Sequence, residues 1–175
     1  MTRRRLFVLL VALHVLVLVG WVARLEWALA RGATVRVAVL QRDPRDLLRG
    51  DYVWLQYPFS EILLSDLPGG RLEAGDRVWI ALAPRDGLWE MAASSVTRAG
   101  LPLAPGQRVL MGKVSYAVYV RSGPERVRVE YGIERYYVPE GKGTPPQGKI
   151  EAELVLTDDG RPFLRRLFVD GRPYP

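Results

Sequence analysis

The residues with the greatest chemical potential stand in one short polar stretch. Asp43 and Asp51 flank Arg49 in the run DPRDLLRGD, which covers residues 43–51. Paired carboxylates can act as general acid and base, or can hold a hard cation. Because aspartate and arginine alternate here, mutual ion pairing and turn capping account for the same residues without a ligand. We therefore assign no metal ion and no cofactor, and keep Asp43, Arg49, Gly50 and Asp51 as a candidate binding motif.

A second candidate stretch, YGIERYYVPEG at residues 131–141, is rich in tyrosine. Tyrosine rings can line a ligand groove, although pairing across neighbouring strands is their more usual role in a sheet. The residue types leave both interpretations open. The candidate binding residues in this stretch are Tyr131, Gly132, Glu134, Pro139, Glu140 and Gly141.

Nucleophiles and bases of the common hydrolases are scarce in the chain. There is no cysteine, and the one histidine is His14, so a Ser-His-Asp triad and a histidine-rich metal site are excluded. A signal-peptidase-like hydrolase is the remaining enzyme hypothesis, because such enzymes also combine an N-terminal span with a β-rich outer domain. Their serine would fall at Gln41 or Arg42, and Lys113 has only Ser115 nearby. Without a placed nucleophile and base we disfavour this hypothesis and assign no catalytic residue.

An apolar run, LFVLLVALHVLVLVGWVA, occupies residues 6–23. As a helix it extends about 27 Å, close to the thickness of the hydrocarbon core of a bilayer. Arg3, Arg4 and Arg5 precede it, so the positive-inside rule predicts a cytoplasmic N-terminus and an extracytoplasmic C-terminal domain, periplasmic or at the cell surface. A cleaved signal peptide is the alternative, but the run is longer than the apolar region of signal peptides.

His14 lies in the middle of this predicted span. An ionisable residue there is costly and is by default a functional hypothesis. A neutral imidazole that bonds to the helix backbone, or to a partner helix, also accounts for it.

Beyond Gly32 the hydrophobic period changes from helical to alternating, beginning with Val35, Val37 and Val39 on one face of a strand. Further strands are predicted at residues 52–57, 77–83, 89–94, 109–120, 126–138, 149–156 and 162–169. The last two are predicted to form a hairpin around a turn at residues 158–160, with another turn at Asp170 and Gly171 before the proline-rich tail. The run PEGKGTPPQG at residues 139–148 is predicted to be a surface loop. Nothing after Gly32 predicts a long helix. The chain is therefore predicted to be mainly β, with a single N-terminal transmembrane helix within residues 1–31 and an antiparallel β-sandwich or barrel-like domain at residues 32–175.

The net charge of +6 does not indicate nucleic-acid binding. Half of it arises within residues 1–30, and the rest is dispersed among arginines and carboxylates without a basic block. Aromatic residues are not interleaved with the basic ones in a stacking pattern. We expect no nucleic-acid partner.

Residues 50–57, GDYVWLQY, resemble the family of membrane-anchored proteins named for the motif Gly-Asp-Tyr-x-x-Leu-x-Tyr, the GDYXXLXY family. Residues 43–49 and 131–141 are also similar to the pattern of that family. The family's activity is uncharacterised; the resemblance implies a membrane location and, because members often accompany a multi-spanning membrane protein, a partner of that kind. The five specified motif positions all match, at Gly50, Asp51, Tyr52, Leu55 and Tyr57.

In physical terms the motif is typical of a turn that enters a strand. Gly50 permits the backbone conformation of the turn, and the Asp51 side chain caps the turn. Leu55 and Tyr57 face inward, while Tyr52 faces the other way. A motif that folding explains so well needs no catalytic role. The leading hypothesis is thus a non-enzymatic accessory or partner-binding subunit of a membrane complex. A domain that binds a ligand or a cell-envelope polymer through its tyrosine-rich strands is the alternative, and the hydrolase comes third.

Overall fold

The computed structural model of the chain describes residues 2–40, 52–67, 72–118, 125–137 and 148–174, with the backbone alone at residues 52, 53, 117 and 118. Two compact units are present, Met1–Gly32 and Ala33–Pro175. Their assignment to a membrane anchor and an extracytoplasmic domain stays a prediction.

Helix α1 (Arg3–Arg31) is the helix of the first unit, and none of its residues is buried. By length and composition it is able to cross a membrane. Its predicted end before Gly32 is confirmed, because the extended backbone of that glycine stops the helix and its N–H donates to the Leu29 carbonyl at 3.2 Å. Nδ1 of His14 lies 2.8 Å from the Leu10 carbonyl oxygen, one turn earlier. A bond to the helix backbone is one of the explanations considered above for this residue.

The second unit is built of strands, so the prediction of a mainly β chain with one N-terminal apolar helix is confirmed. Short 3-10 turns lie at Pro58–Ser60 and Leu64–Asp66. The strands are β1 (Ala33–Val39), β2 (Tyr52–Trp54), β3 (Glu61–Leu63), β4 (Arg77–Arg85), β5 (Leu88–Ser95), β6 (Arg108–Val118), β7 (Arg126–Glu130), β8 (Arg135–Tyr137), β9 (Ile150–Leu156), β10 (Pro162–Val169) and β11 (Arg172–Tyr174).

The strands form two antiparallel sheets and a short ribbon. A four-stranded sheet has the order β1-β9-β10-β11, and a five-stranded sheet has the order β3-β7-β6-β4-β5. One of the two sheets is curled into a half-barrel. Strands β2 and β8 pair with each other as the ribbon. The predicted sandwich or barrel-like arrangement therefore takes the form of two sheets whose buried faces share one apolar core.

The core follows from the alternation in the strands. Val35, Val37 and Val39 are buried as predicted, and they belong to the same cluster as Ile80 of β4 and Leu110 of β6. Each fully buried branched side chain stabilises the fold by about 1.5–3 kcal/mol relative to an exposed one.

The predicted hairpin of β9 and β10 is confirmed. Thr157 N–H donates to the Arg161 carbonyl at 3.0 Å, and Gly160 takes a positive φ of 84° that suits glycine. The Gly160 carbonyl then accepts the Met111 N–H of β6 at 2.7 Å. The turn of the first sheet is thereby hydrogen-bonded to a strand of the second.

Two strand predictions were wrong in extent, and two short strands, β3 and β11, were not predicted. The predicted strand 126–138 is two strands, because the backbone turns at Gly132, where φ is 78°. The predicted strand 52–57 is regular only to Trp54, after which Gln56 makes an isolated bridge to Leu40. Beyond the predicted turn at Asp170 and Gly171, the tail forms β11 instead of remaining irregular. Of the predicted loop at residues 139–148, residues 139–147 lie outside the described residues.

Candidate functional site

The ribbon of β2 and β8 brings the two candidate stretches together. Tyr52 is the register partner of Tyr137, and Trp54 is the partner of Arg135. Leu55, Tyr57, Tyr131, Gly132 and Glu134 therefore lie close together, just beyond the ribbon. Tyr52 is described by its backbone alone. The remaining candidates lie outside the described residues: Asp43, Arg49, Gly50, Asp51, Pro139, Glu140 and Gly141.

The two motif residues that were predicted to face inward do so. Leu55 is 1% exposed and Tyr57 is 0% exposed. The Leu55 N–H donates to the Glu134 carbonyl oxygen at 2.6 Å, and the Tyr57 hydroxyl donates to the Ile133 carbonyl oxygen at 2.9 Å. Both bonds join the motif to the segment between β7 and β8, which holds the ribbon against the core.

Three aromatic rings pack behind these bonds. Tyr57 stacks on Phe59 with ring centroids 5.3 Å apart, and Phe59 meets Tyr131 edge to face at 5.2 Å. The Tyr131 hydroxyl donates to the Phe59 carbonyl oxygen at 2.6 Å. Aromatic pairs in these geometries stabilise by about 0.5–1.5 kcal/mol beyond the area they bury.

Glu134 closes the turn between β7 and β8. Its carboxylate Oε1 accepts the N–H of Tyr131, three residues earlier, at 2.5 Å. Gly132, between them, supplies the positive φ that the turn requires. Glu134 is only 9% exposed. Because no strand partner reaches the Tyr131 N–H, the Glu134 carboxylate takes the place of solvent as its hydrogen-bond acceptor. We call Tyr57, Phe59, Tyr131, Ile133 and Glu134 the aromatic lock.

The electrostatics of the aromatic lock keep its tyrosines protonated. Burial raises the pKa of Tyr57 far above its usual range, and the nearby Glu134 carboxylate raises it further. The same two causes, in the same order, raise the pKa of Tyr131. Both hydroxyls therefore act as hydrogen-bond donors to backbone carbonyls, and neither is poised as a base, a nucleophile or a metal ligand.

The arrangement supports packing more readily than chemistry. Within the described residues no buried side-chain nitrogen or oxygen lacks a hydrogen-bond partner. The same residues contain no group of three or more His, Cys, Asp or Glu placed to hold a metal ion. Tyr57 and Tyr131 are too deeply buried to line a ligand groove, whereas Tyr137 of the ribbon is exposed.

Among the described residues, no hydrogen bond joins the serine and the lysine that were considered for a hydrolase. Ser115 sits at a bulge in β6 and donates its hydroxyl to Glu130 Oε1 at 2.8 Å. Lys113 is exposed and lies opposite Arg77 on β4 and Glu130 on β7. A serine whose proton is directed at a carboxylate on an open sheet face has no arranged lysine base.

One residue that supports the aromatic lock was missed by the sequence interpretation. Gly112 is buried in β6, and a Cβ there would lie 2.7 Å from the Tyr131 ring and still closer to a methyl group of Val129. Only glycine lets β6 approach the ring so closely. The available signal was a glycine inside an otherwise regular strand pattern, which marks a bulge or a close approach.

Replacing Glu134 by alanine is expected to destabilise the β unit by about 2 kcal/mol, because it leaves the buried Tyr131 N–H without a hydrogen-bond acceptor. Glutamine keeps an oxygen at the same place, so the Glu134→Gln variant should lose less than about 1 kcal/mol. Urea unfolding of the full chain in a non-ionic detergent measures both. Equal losses for the two variants would show that the side-chain acceptor is not what matters.

Comparison with known proteins gives one match. The family model described as GDYXXLXY protein matches residues 14–167, which is most of the chain. No curated protein and no solved structure matches.

Proposed function

Because this chain belongs to the GDYXXLXY protein family, we propose that it is a membrane-anchored, non-enzymatic accessory subunit whose β unit binds a multi-spanning membrane protein. One observation carries the proposal. Helix α1 spans 29 residues, is apolar on all sides over the length of a bilayer, and has no buried residue. Such a surface is stable only in lipid or against other apolar helices.

The charge around α1 supports an orientation. Arg3, Arg4 and Arg5 give its N-terminal end a charge of +3, whereas Arg24 and Arg31 with Glu26 leave +1 at the other end. The excess of positive charge at the N-terminus favours a cytoplasmic start. The β unit then lies on the extracytoplasmic side of the membrane.

The use of the motif residues supports a role without catalysis. Leu55 and Tyr57 pack in the core and form hydrogen bonds with backbone carbonyls. Tyr131 and Glu134 are hydrogen-bonded to each other within the aromatic lock. The ribbon also carries the exposed Arg135 guanidinium, which lies 5.6 Å from the centre of the half-buried Trp54 ring, and the exposed Tyr137 two residues further along β8. Tryptophan, tyrosine and arginine are the residues enriched at the energetic centres of protein interfaces.

The test combines orientation with partner retention. The chain has no cysteine, so Thr2→Cys and Glu90→Cys each create a unique label site. In intact cells a membrane-impermeant maleimide should label the Glu90→Cys chain, and should label the Thr2→Cys chain only after permeabilisation. The full chain purified in mild detergent should retain a multi-spanning protein. That protein should be lost when residues 6–23 are replaced by an unrelated span.

The labelling serves as the control for the replacement. A replaced span that still exposes Glu90→Cys to the maleimide is correctly inserted, so loss of the partner then reports on the native span. Labelling of Thr2→Cys in intact cells would refute the orientation. Retention of no multi-spanning protein by the native chain would refute the accessory role.

A further inference from the structure

The β unit contains a surface cavity that the aromatic lock does not use. Its volume is about 590 Å³, within the range of sites for small organic ligands. It lies between β5, the turn at Leu64–Asp66 and the loop at residues 99–102. The walls are mostly apolar and are formed by Met91, Ala92, Ala93, Ala99, Gly100, Leu101 and Pro102, with Asp66 and Ser94 as the polar members.

A bulge shapes the strand side of this cavity. Ala93 pairs with Ala81 of β4 and Met91 pairs with Leu82, so Ala92 is the extra residue. Strand β5 is an edge of the five-stranded sheet, where a bulge opposes the addition of another strand. The occupant that fits this edge is therefore a compact molecule and not an extended peptide.

The polar groups of the wall offer acceptors. The Ser94 hydroxyl donates its proton to the Asp66 carbonyl oxygen at 2.6 Å, so its lone pairs remain available. Within the part of the chain that the structure describes, Asp66 Oδ1 accepts one hydrogen bond, from the Ser65 hydroxyl at 3.2 Å. Among the ion pairs of the described residues none involves Asp66. Asp66 is one of the lining residues, and its carboxylate has no cation partner among the described residues, so it favours a positively charged donor.

We propose that this cavity binds a small molecule with an apolar body and a protonated amine. The apolar part packs on Met91, Ala93 and Leu101, and the ammonium group donates hydrogen bonds to Asp66 and Ser94. An ammonium offers donors and no acceptor, which matches what these two residues present. This binding site is independent of the accessory role proposed above.

The chain carries its own reporter for this site. Of its three methionines, Met91 lies in the cavity wall and Met111 lies on β6 beside Gly160, outside the cavity lining. The full chain, labelled with ¹³C at the methionine methyl groups and held in phosphatidylcholine nanodiscs, is titrated with benzylamine. The Met91 methyl signal should shift saturably while the Met111 signal stays in place. Benzyl alcohol, which has the same ring without the charge, should bind about fivefold more weakly or worse.

Two variants and a matched control separate the parts of the proposal. Asp66→Asn should weaken benzylamine binding about fivefold and leave benzyl alcohol unchanged. Ala99→Phe adds a bulky ring to the cavity lining and should abolish the shift, whereas Ala104→Phe, two residues after the loop and outside the lining, should not. A Met91 signal that does not respond to benzylamine overturns the site. Equal binding of the amine and the alcohol, or an unchanged Asp66→Asn variant, overturns the amine specificity.

Discussion

Raising the pH above about 10 is expected to destabilise the β unit progressively, because two tyrosines of the aromatic lock cannot ionise while they are buried. Their pKa values are raised in the folded chain, chiefly by burial and then by the Glu134 carboxylate. A group of this kind contributes stability that is fully present below its unfolded pKa and is lost as the pH rises beyond it. At about pH 11 the loss is about 1.4 kcal/mol for each tyrosine, or about 3 kcal/mol for the pair.

Urea unfolding of the full chain in a non-ionic detergent, repeated between neutral pH and pH 11, measures this loss. The Tyr57→Phe variant starts less stable, because the bond to the Ile133 carbonyl is gone, but the pH dependence attributable to the pair should be halved. Tyr116→Phe is the matched control, since that ring is exposed on the sheet surface. If Tyr57→Phe and Tyr116→Phe reduced the pH dependence of the free energy of unfolding equally, that dependence would not arise from the buried tyrosines.

Introducing a single methyl group at Gly112 is expected to lower the free energy of unfolding by about 2–3 kcal/mol. The new Cβ would overlap the Val129 side chain and lie 2.7 Å from the Tyr131 ring. Neither neighbour moves easily, because Val129 is β-branched and the Tyr131 hydroxyl is bonded to Phe59. Such a loss is a large fraction of the total stability of a typical domain.

The clash can be tested by relieving it. Val129→Ala alone should cost about 1–2 kcal/mol, but in the Gly112→Ala background it should cost less, because it makes room for the methyl group. Lys113→Ala, at the neighbouring exposed position, should change stability by less than about 0.5 kcal/mol. Simple additivity of the Gly112 and Val129 substitutions would refute a direct steric conflict.

Short stretches of sequence were enough to predict β1, the hairpin of β9 and β10, and α1. The alternation of Val35, Val37 and Val39 predicted β1, and the polar turn before Gly160 predicted the hairpin of β9 and β10. The apolar run predicted α1. In each case the signal is the period of hydrophobic residues, or a turn residue at a fixed offset, and both are visible within about ten residues of sequence.

Features that depend on distant parts of the chain escaped prediction. The break at Gly132 was hidden because Tyr131, Ile133 and the two tyrosines at residues 136–137 have high strand propensity. Strand β11 is only three residues long and contains Pro173, so it exists because β10 provides a ladder for it. Sheet order is likewise a matter of long-range pairing, which no single segment encodes.

The candidate site likewise combines features that local sequence predicted with features that depend on long-range packing. The inward position of Leu55 and Tyr57 followed from alternation along the motif. That Glu134 would cap the Tyr131 N–H, and that Gly112 would lie under the same ring, follows only from packing between β6 and the segment after β7. The cavity beside β5 depends on a bulge and on two separate loops, and has no local signature.

The pairing of β1 with β9 determines when the molecule can fold during synthesis. Ala33 lies opposite Leu156 and Val39 lies opposite Ile150, so the first strand made finds its partner only after more than a hundred further residues have been added. The second sheet is assembled from strands that lie between those two. Closing so long a loop is slow, because its entropy is lost before the contacts that reward it are formed. The nascent chain therefore carries an unpaired valine face for most of its translation, and this face is prone to aggregation until β9 arrives.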